Sequence, residues 1–287
     1  MNCYFVSDIH IDAHLPQLTP GGKRSSAYHK WMDANFLPAD ILCIAGDVAD
    51  NSRIFVDFMM ALRGRYKYVV YVYGNHDVGV FNAEYESPTI KIDAMNNWVS
   101  NFKHLCTSTH AIKTKFFKLD GNTSANVAGH LFAGAMGAPD WSYSKAFLRS
   151  SDKEFKKHWI AGLEKTGWLY WWSDDFFEIS NDEKTRLLNA VKSAGCEPRV
   201  VVSHYVPLGV PSPKQYAKKK TTGFFYWDVS EIINMLPQGT IWHYGHSHAA
   251  NVMEKNGILF LSNPIGLPGE NTQTIGKFDK KEFLITL

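Results

Sequence analysis

Six short apolar runs constrain the fold of this 287-residue chain: CYFVS (3–7), ILCIAG (41–46), KYVVYVYG (67–74), RVVVSH (199–204), TIWHYG (240–245) and GILFLSN (257–263). They are brief, rich in β-branched and aromatic residues, and bounded by turn-forming residues, so they read as buried strands rather than helices. Helical patterns lie between them. Over 52–65, Ile54, Phe55, Phe58, Met59 and Leu62 fall on one face. The stretch 180–195 opens on Ser180-x-x-Glu183, a capping-box pattern, and closes on Gly195, a C-cap signal. Residues 228–236 read as a further short helix. Strands alternating with helices predict an α/β fold.

Composition narrows the class. The chain is 45% hydrophobic and 20% charged, as expected of a soluble globular protein. A net charge of +2 is too small to argue for nucleic acid by itself. Four cysteines occur without a C-x-x-C pair, which predicts a reducing compartment and no disulfide framework. The N-terminus lacks the pattern of a signal peptide, and no stretch has the length of a transmembrane helix, so the expected location is cytoplasmic, with no membrane and no obligate protein partner. No repeat or linker divides the chain, which predicts one domain over 1–287. Residues 138–180 break the rhythm. They are dense in aromatics and read either as an insertion or cap over a site, or as an excursion that packs its own rings.

The chemistry sits where the apolar runs stop. Asp8 and His10 follow the first, Gly46-Asp47 the second, and Gly74-Asn75-His76-Asp77 the third. His204 ends the fourth, and Gly245-His246-Ser247-His248 follows the fifth. In open α/β sheets, sites form at the carboxyl ends of strands, so groups scattered along the chain converge in space. Two Asp, one Asn and four His, without Cys, form a mixed oxygen and nitrogen set. Such a set suits manganese, iron or zinc better than calcium or a thiolate-selecting site. Seven groups exceed one tetrahedral ion and suit two cations sharing a carboxylate, the standard clamp for displacement at phosphorus.

With SDIH at 7–10, GDVADN at 46–51, GNHD at 74–77, VVSHYVP at 201–207 and GHSH at 245–248, the chain resembles the calcineurin-like metallophosphoesterases. The family pattern is D-x-H, G-D, G-N-H-D/E, a lone H, and G-H-x-H, and no motif residue is missing. The resemblance spans Asp8 to His248 and leaves 138–180 uncovered. It implies two packed mixed β-sheets flanked by helices, and a phosphate-ester substrate. It implies two divalent cations, manganese first, with iron, zinc or nickel as the other candidates. Asp8, His10 and His248 would bind one cation, Asn75, His204 and His246 the other, and Asp47 would bridge. A hydroxide between the cations would be the nucleophile. His76 would face the leaving-group oxygen as general acid, or a phosphoryl oxygen as donor, with Asp77 orienting its ring.

Substrate contacts are sought beside this set. The basic run KQYAKKK (214–220) makes Lys218 and Lys219 candidates for substrate phosphates or a nucleic-acid backbone, against the plainer reading of a solvated face. Followed by GFFYW (223–227), it could hold a nucleotide by charge and stacking, although core packing is the simpler role for Phe224 and Phe225. Asn51 either touches substrate or caps the 52–65 helix. The expectation leans to phosphodiester or nucleotide substrates, with a phosphomonoesterase as the alternative. A non-catalytic scaffold is disfavoured because every ligand and His76 are kept. An amidohydrolase is disfavoured because its H-x-H belongs near the first strand.

Overall fold

Each of the six apolar runs forms a strand, and their order explains why the polar residues meet. The computed structural model describes residues 1–17, 25–78, 114–122, 124–166, 176–270 and 278–287. In chain order the strands are β1 (Asn2–Val6), β2 (Ile41–Ala45), β3 (Tyr68–Val72), β4 (Lys115–Lys118), β5 (Ala125–Val127), β6 (His130–Ala135) and β7 (Val200–Ser203). They continue as β8 (Val206–Pro207), β9 (Tyr226–Trp227), β10 (Ile241–His243), β11 (Asn251–Lys255), β12 (Ile258–Ser262) and β13 (Leu284–Thr286).

Two mixed sheets result. The first has the order β13-β1-β2-β3-β4 and the second β11-β12-β10-β7-β6-β5. Strands β1 to β4 run parallel, with β13 antiparallel at the edge. In the second sheet β12, β10, β7 and β6 run parallel, flanked by antiparallel β11 and β5. Parallel strands buried on both faces need continuous apolar runs, and Ile41–Ala45 is buried at every position. One core takes Val6, Ile44 and Val70 from the first sheet and Val202, Ile241 and Leu261 from the second. The mixed two-sheet α/β architecture is therefore present.

The sequence reading missed β6, which is a central strand. Its run HLFAGA is diluted by small residues. Gly134 is small because a Cβ there would lie 2.6 Å from the Val202 carbonyl oxygen. All three expected helices change bounds: the 52–65 helix is Ser52–Ala61 and the 228–236 helix is Ser230–Ile233. The 180–195 helix is longer, Phe176–Ser193, so Ser180 and Glu183 are interior and form no capping box. Instead the Ser180 hydroxyl donates to the Ala138 carbonyl, and Glu183 accepts from the Gly137 N–H. Within 138–180, the helices Ser142–Leu148 and Asp152–Thr166 replace the expected irregular segment, while residues 167–175 lie outside the described residues. Trp141, Phe155 and Trp159 pack with Phe224 into a small core of their own. Among the described residues, no helix is long and apolar enough to cross a membrane.

The two sheets are stitched beside the site. Ser7 bridges to Pro264, joining the end of β1 to the chain leaving β12. Fully buried His243 spans the same seam, with Nε2 2.9 Å from the Val6 carbonyl oxygen and Nδ1 3.2 Å from that of Leu261. Burial pushes its pKa down from 6.5 to about 4, so the folded protein holds the ring neutral. Below about pH 6.5 the unfolded chain takes up a proton that the folded chain refuses, so this group costs stability as pH falls towards 4. His243→Leu is expected to lose about 1–3 kcal/mol at neutral pH, from the unpaired carbonyl left behind. The deficit should shrink between pH 6.5 and 4. Urea denaturation across that range checks both; an unchanged midpoint at neutral pH would rule out the seam role.

Candidate metal centre

The ligand candidates sit on backbone that most side chains avoid. Asp8 (φ 50°), His10 (φ 43°), Asp47 (φ 56°), His246 (φ 67°) and His248 (φ 47°) are all left-handed. Each such residue costs on the order of 1 kcal/mol or more, and persists only where its surroundings over-determine it. Here they do. The N–H groups of Ile9 and His10 both donate to the Asp47 carbonyl, and that of Asp8 donates to Gly46. The His246 N–H donates to Asp8 Oδ1 at 2.8 Å, tying the second sheet's loop to the first sheet's strand end.

Close approach sets the third loop. A Cβ on Gly74 would lie 2.1 Å from Asp47 Oδ1, so only glycine lets the GNHD turn press against the Asp47 loop. The chain then enters the short helix Asn75–Val78, and the His76 N–H donates to Asp47 Oδ1 at 2.8 Å.

The seven predicted ligands form two groups sharing Asp47. Asp8, His10, Asp47 and His248 present ligand atoms within 4.8 Å of one another, as do Asp47, His204 and His246. Asn75 joins the second group, its Oδ1 2.8 Å from His204 Nε2. In the first group His10 Nε2 lies 3.1 Å from His248 Nε2, and Asp8 Oδ1 lies 3.6 Å from the same nitrogen. Asp8, His10, Asp47, Asn75 and His204 are buried, while His246 and His248 are half-buried and face the opening.

Asp47 Oδ2 tests whether cations fit. It is fully buried and accepts no hydrogen bond. Yet it lies 3.3 Å from His204 Nε2, 3.8 Å from His10 Nε2 and 4.0 Å from His76 Nε2. An orphaned carboxylate oxygen inside a protein is costly unless a cation meets it. The surrounding donors are oxygen and imidazole nitrogen, the set that first-row divalent cations take. The residues fit a pair of such ions on either side of Asp47.

Between the protein's own groups, imidazolium charge compensates Asp47. Burial opposes charge on Asp47, but facing His204, His76 and His10 hold its pKa well below the carboxylate range. Burial likewise opposes charge on His204 and His76, yet the Asp47 carboxylate beside them pushes both up to about 9. For His10 burial prevails, pushing it down to about 4.

A second layer orients the ligands, and much of it escaped the sequence reading. His204 Nδ1 lies 2.9 Å from the Ala45 carbonyl oxygen, which turns Nε2 to the site. His248 Nδ1 lies 2.5 Å from Glu270 Oε2. His76 Nδ1 lies 2.6 Å from Asp50 Oδ1, so the carboxylate on that ring is Asp50, where the sequence reading placed Asp77. The Asp77 carboxylate instead accepts from the N–H groups of Asp47, Val48, Ala49 and Gly74. It staples the second and third loops together. Asp12 in turn accepts from the N–H groups of Asp50 and Asn51. Asp50 could have been noticed as a second acid three residues after a ligand; Glu270, in a Gly/Pro loop, carried no comparable signal.

Substrate candidates separate. Asn51 takes the capping role, its side chain accepting from the N–H groups of Arg53 and Ile54 at the start of the helix Ser52–Ala61. Lys218 and Lys219 are exposed, with Lys219 Nζ 4.7 Å from the Tyr216 ring centre. They precede the 3₁₀ turn Lys220–Phe225, which ends at the site. There the Phe225 ring lies 4.7 Å from that of His246, and Tyr205 flanks the same imidazole at 4.4 Å. Phe224 belongs to packing, as expected, but Phe225 touches a ligand candidate.

The family model of the calcineurin-like phosphoesterases matches residues 1–258. An uncharacterised protein of Acanthamoeba polyphaga mimivirus is 24% identical over 278 residues, covering 93% of this chain and 91% of the viral protein. The crystal structure of phosphopantetheinyl hydrolase from Mycobacterium tuberculosis superposes with a TM-score of 0.61 at 15% identity, covering 93% of this chain and 90% of that one. At that identity the likeness concerns the fold.

Gly74→Ala is expected to separate the Asp47 loop from the GNHD turn and to abolish binding of divalent cations. Elemental analysis of Mn²⁺-dialysed protein measures this. Full occupancy in the variant would show that the close approach is dispensable.

Proposed function

The chain belongs to the calcineurin-like phosphoesterases, a family of phosphoric ester hydrolases, and from that premise we propose that it hydrolyses phosphate esters at two divalent cations, favouring phosphodiester or nucleotide substrates. The observation that carries this reading is Asp47 Oδ2, a buried oxygen without a hydrogen bond and central to both ligand groups. Asp8, His10 and His248 would hold one cation, Asn75, His204 and His246 the other, and Asp47 both. Manganese is the first choice for this donor set, ahead of iron, zinc or nickel. When bound, the pair supplies Lewis acidity at the phosphoryl oxygens and a nucleophile at neutral pH.

The chain's own residues do the rest. Burial disfavours charge on His76, while Asp47 and Asp50 push its pKa up to about 9 between the protein's own groups, and the Asp50 contact is the part of that support that cations on Asp47 would leave in place. Its Nδ1–H donates to Asp50, leaving Nε2–H turned towards the cluster, 4.0 Å from Asp47 Oδ2. That proton is placed to reach a departing ester oxygen, or to hydrogen-bond a phosphoryl oxygen. Asp50 fixes the ring, and Asp77 holds the loops that carry both Asp47 and His76. The preference for diesters rests on the edge beside His246, where the half-buried Phe225 ring ends the turn that follows Lys218 and Lys219, with buried Tyr205 packed behind the same imidazole. A partly exposed flat ring at this edge suits a second, nucleotide-like substituent on phosphorus.

Metal-stripped protein reloaded with Mn²⁺ should hydrolyse bis(p-nitrophenyl) phosphate faster than p-nitrophenyl phosphate, and chelator should abolish both rates. Monoester turnover alone would replace the diester reading with a phosphomonoesterase. Silence on both substrates, with two cations bound, would remove the catalytic reading.

Asp50→Asn and His76→Ala should each lower kcat with cation content intact. The losses expected are roughly 10-fold for Asp50→Asn and at least about 100-fold for His76→Ala, the range of a positioned proton donor. Equal kcat in wild type and Asp50→Asn would release Asp50 from this role.

A further inference from the structure

The two cation sites have unlike outer layers. Behind His204, in the second site, stands a neutral backbone carbonyl, that of Ala45. Behind His248, in the first, stands a carboxylate, Glu270, at 2.5 Å. Counting that layer, three carboxylates (Asp8, Asp47 and Glu270) serve the first site, whereas the second has Asp47 and the amide of Asn75.

Glu270 is also the last clasp of a loop stitched along the first site. The Ser7 N–H donates to Asn263, Ile265 to Ser7, and Gly266 to Asp8. His14 Nε2 lies 2.8 Å from the Gly266 carbonyl oxygen. The Leu267 N–H donates to Glu270 Oε2 at 2.9 Å, the oxygen that His248 Nδ1 meets. The carboxylate therefore reaches His248 with its own position fixed by the loop, and turns His248 Nε2 towards His10 and Asp8. The half-buried ring of His248 otherwise stands on a strained left-handed residue at the opening.

We propose that Glu270 is the positioning residue that makes the first cation site the tighter of the two, so that it fills first. The inference rests on the two-cation reading above. An outer-layer carboxylate on a ligating imidazole fixes its orientation and raises its basicity, and losing one weakens metal binding about 10- to 100-fold.

The test is calorimetric titration of metal-free full-length protein with Mn²⁺, with elemental analysis of the products. Wild type should take up two equivalents with separable affinities. Glu270→Ala should weaken the tighter one by about 10- to 100-fold and leave the other unchanged. Glu270→Gln, which keeps an acceptor oxygen and loses the charge, should fall between. Leu267→Ala, in the same loop with its N–H retained, should match wild type, and circular dichroism should show all variants folded.

Two unchanged affinities in folded Glu270→Ala would overturn the inference while leaving the two-cation reading intact, and so would a loss shared equally by both equivalents. Fewer than two equivalents on wild type would overturn that reading and this inference with it.

Discussion

A buried carboxylate organises this protein. Asp47 sits at the end of β2, fully enclosed, with one oxygen accepting the His76 N–H and the other accepting nothing. An ionised group left this way is tolerated only where cations compensate it, and the imidazoles of His204, His10 and His76 converge on the same oxygen. The surrounding architecture serves that arrangement. Parallel strands in both sheets deliver their carboxyl ends to one edge, and left-handed turns bend the chain back so that side chains three loops apart meet. Gly74 gives the clearance, and Asp77 ties the loops through four backbone N–H groups.

The strain in those turns has a functional reading. Five left-handed ligand residues cost stability that ordinary turns would not. On the two-cation proposal they would hold the ligand atoms in place in advance, so that binding would not have to order the loops. The buried end of the cluster, with Asp8, Asp47 and His204, is rigidly framed. The half-buried end, with His246 and His248, depends on neighbours supplied by the turn Lys220–Phe225 and the loop after β12: Phe225 and Glu270. Both neighbours lie in segments outside the motifs quoted for the family.

How much of this was legible in the sequence follows from locality. The six apolar runs announced their strands, because a parallel strand buried on both faces has to be apolar throughout. The ligand candidates were legible because each follows such a run, and Gly next to Asp or Asn marks a turn of close approach. What failed was non-local. The β6 run hid behind Ala and Gly, and Gly134 has to be small because the β7 backbone lies beside it. Ser180 and Glu183 had the spacing of a cap, but their partners are the backbone of residues 137 and 138. Asp77 next to His76 invited a pairing that the fold denies, because the two side chains meet different groups of the same loop, Asp77 its backbone N–H groups at residues 47–49 and His76 the Asp50 carboxylate. Glu270 lies 22 residues from His248, and no local pattern joins them.

The central claim is that Asp47 is shared by two cations. Anomalous diffraction from a Mn²⁺-soaked crystal tests it most directly. Two peaks are expected, one on each side of Asp47 Oδ2, the first within reach of Asp8, His10 and His248 and the second within reach of Asn75, His204 and His246. A single peak, or two peaks of which neither touches Asp47, would contradict it.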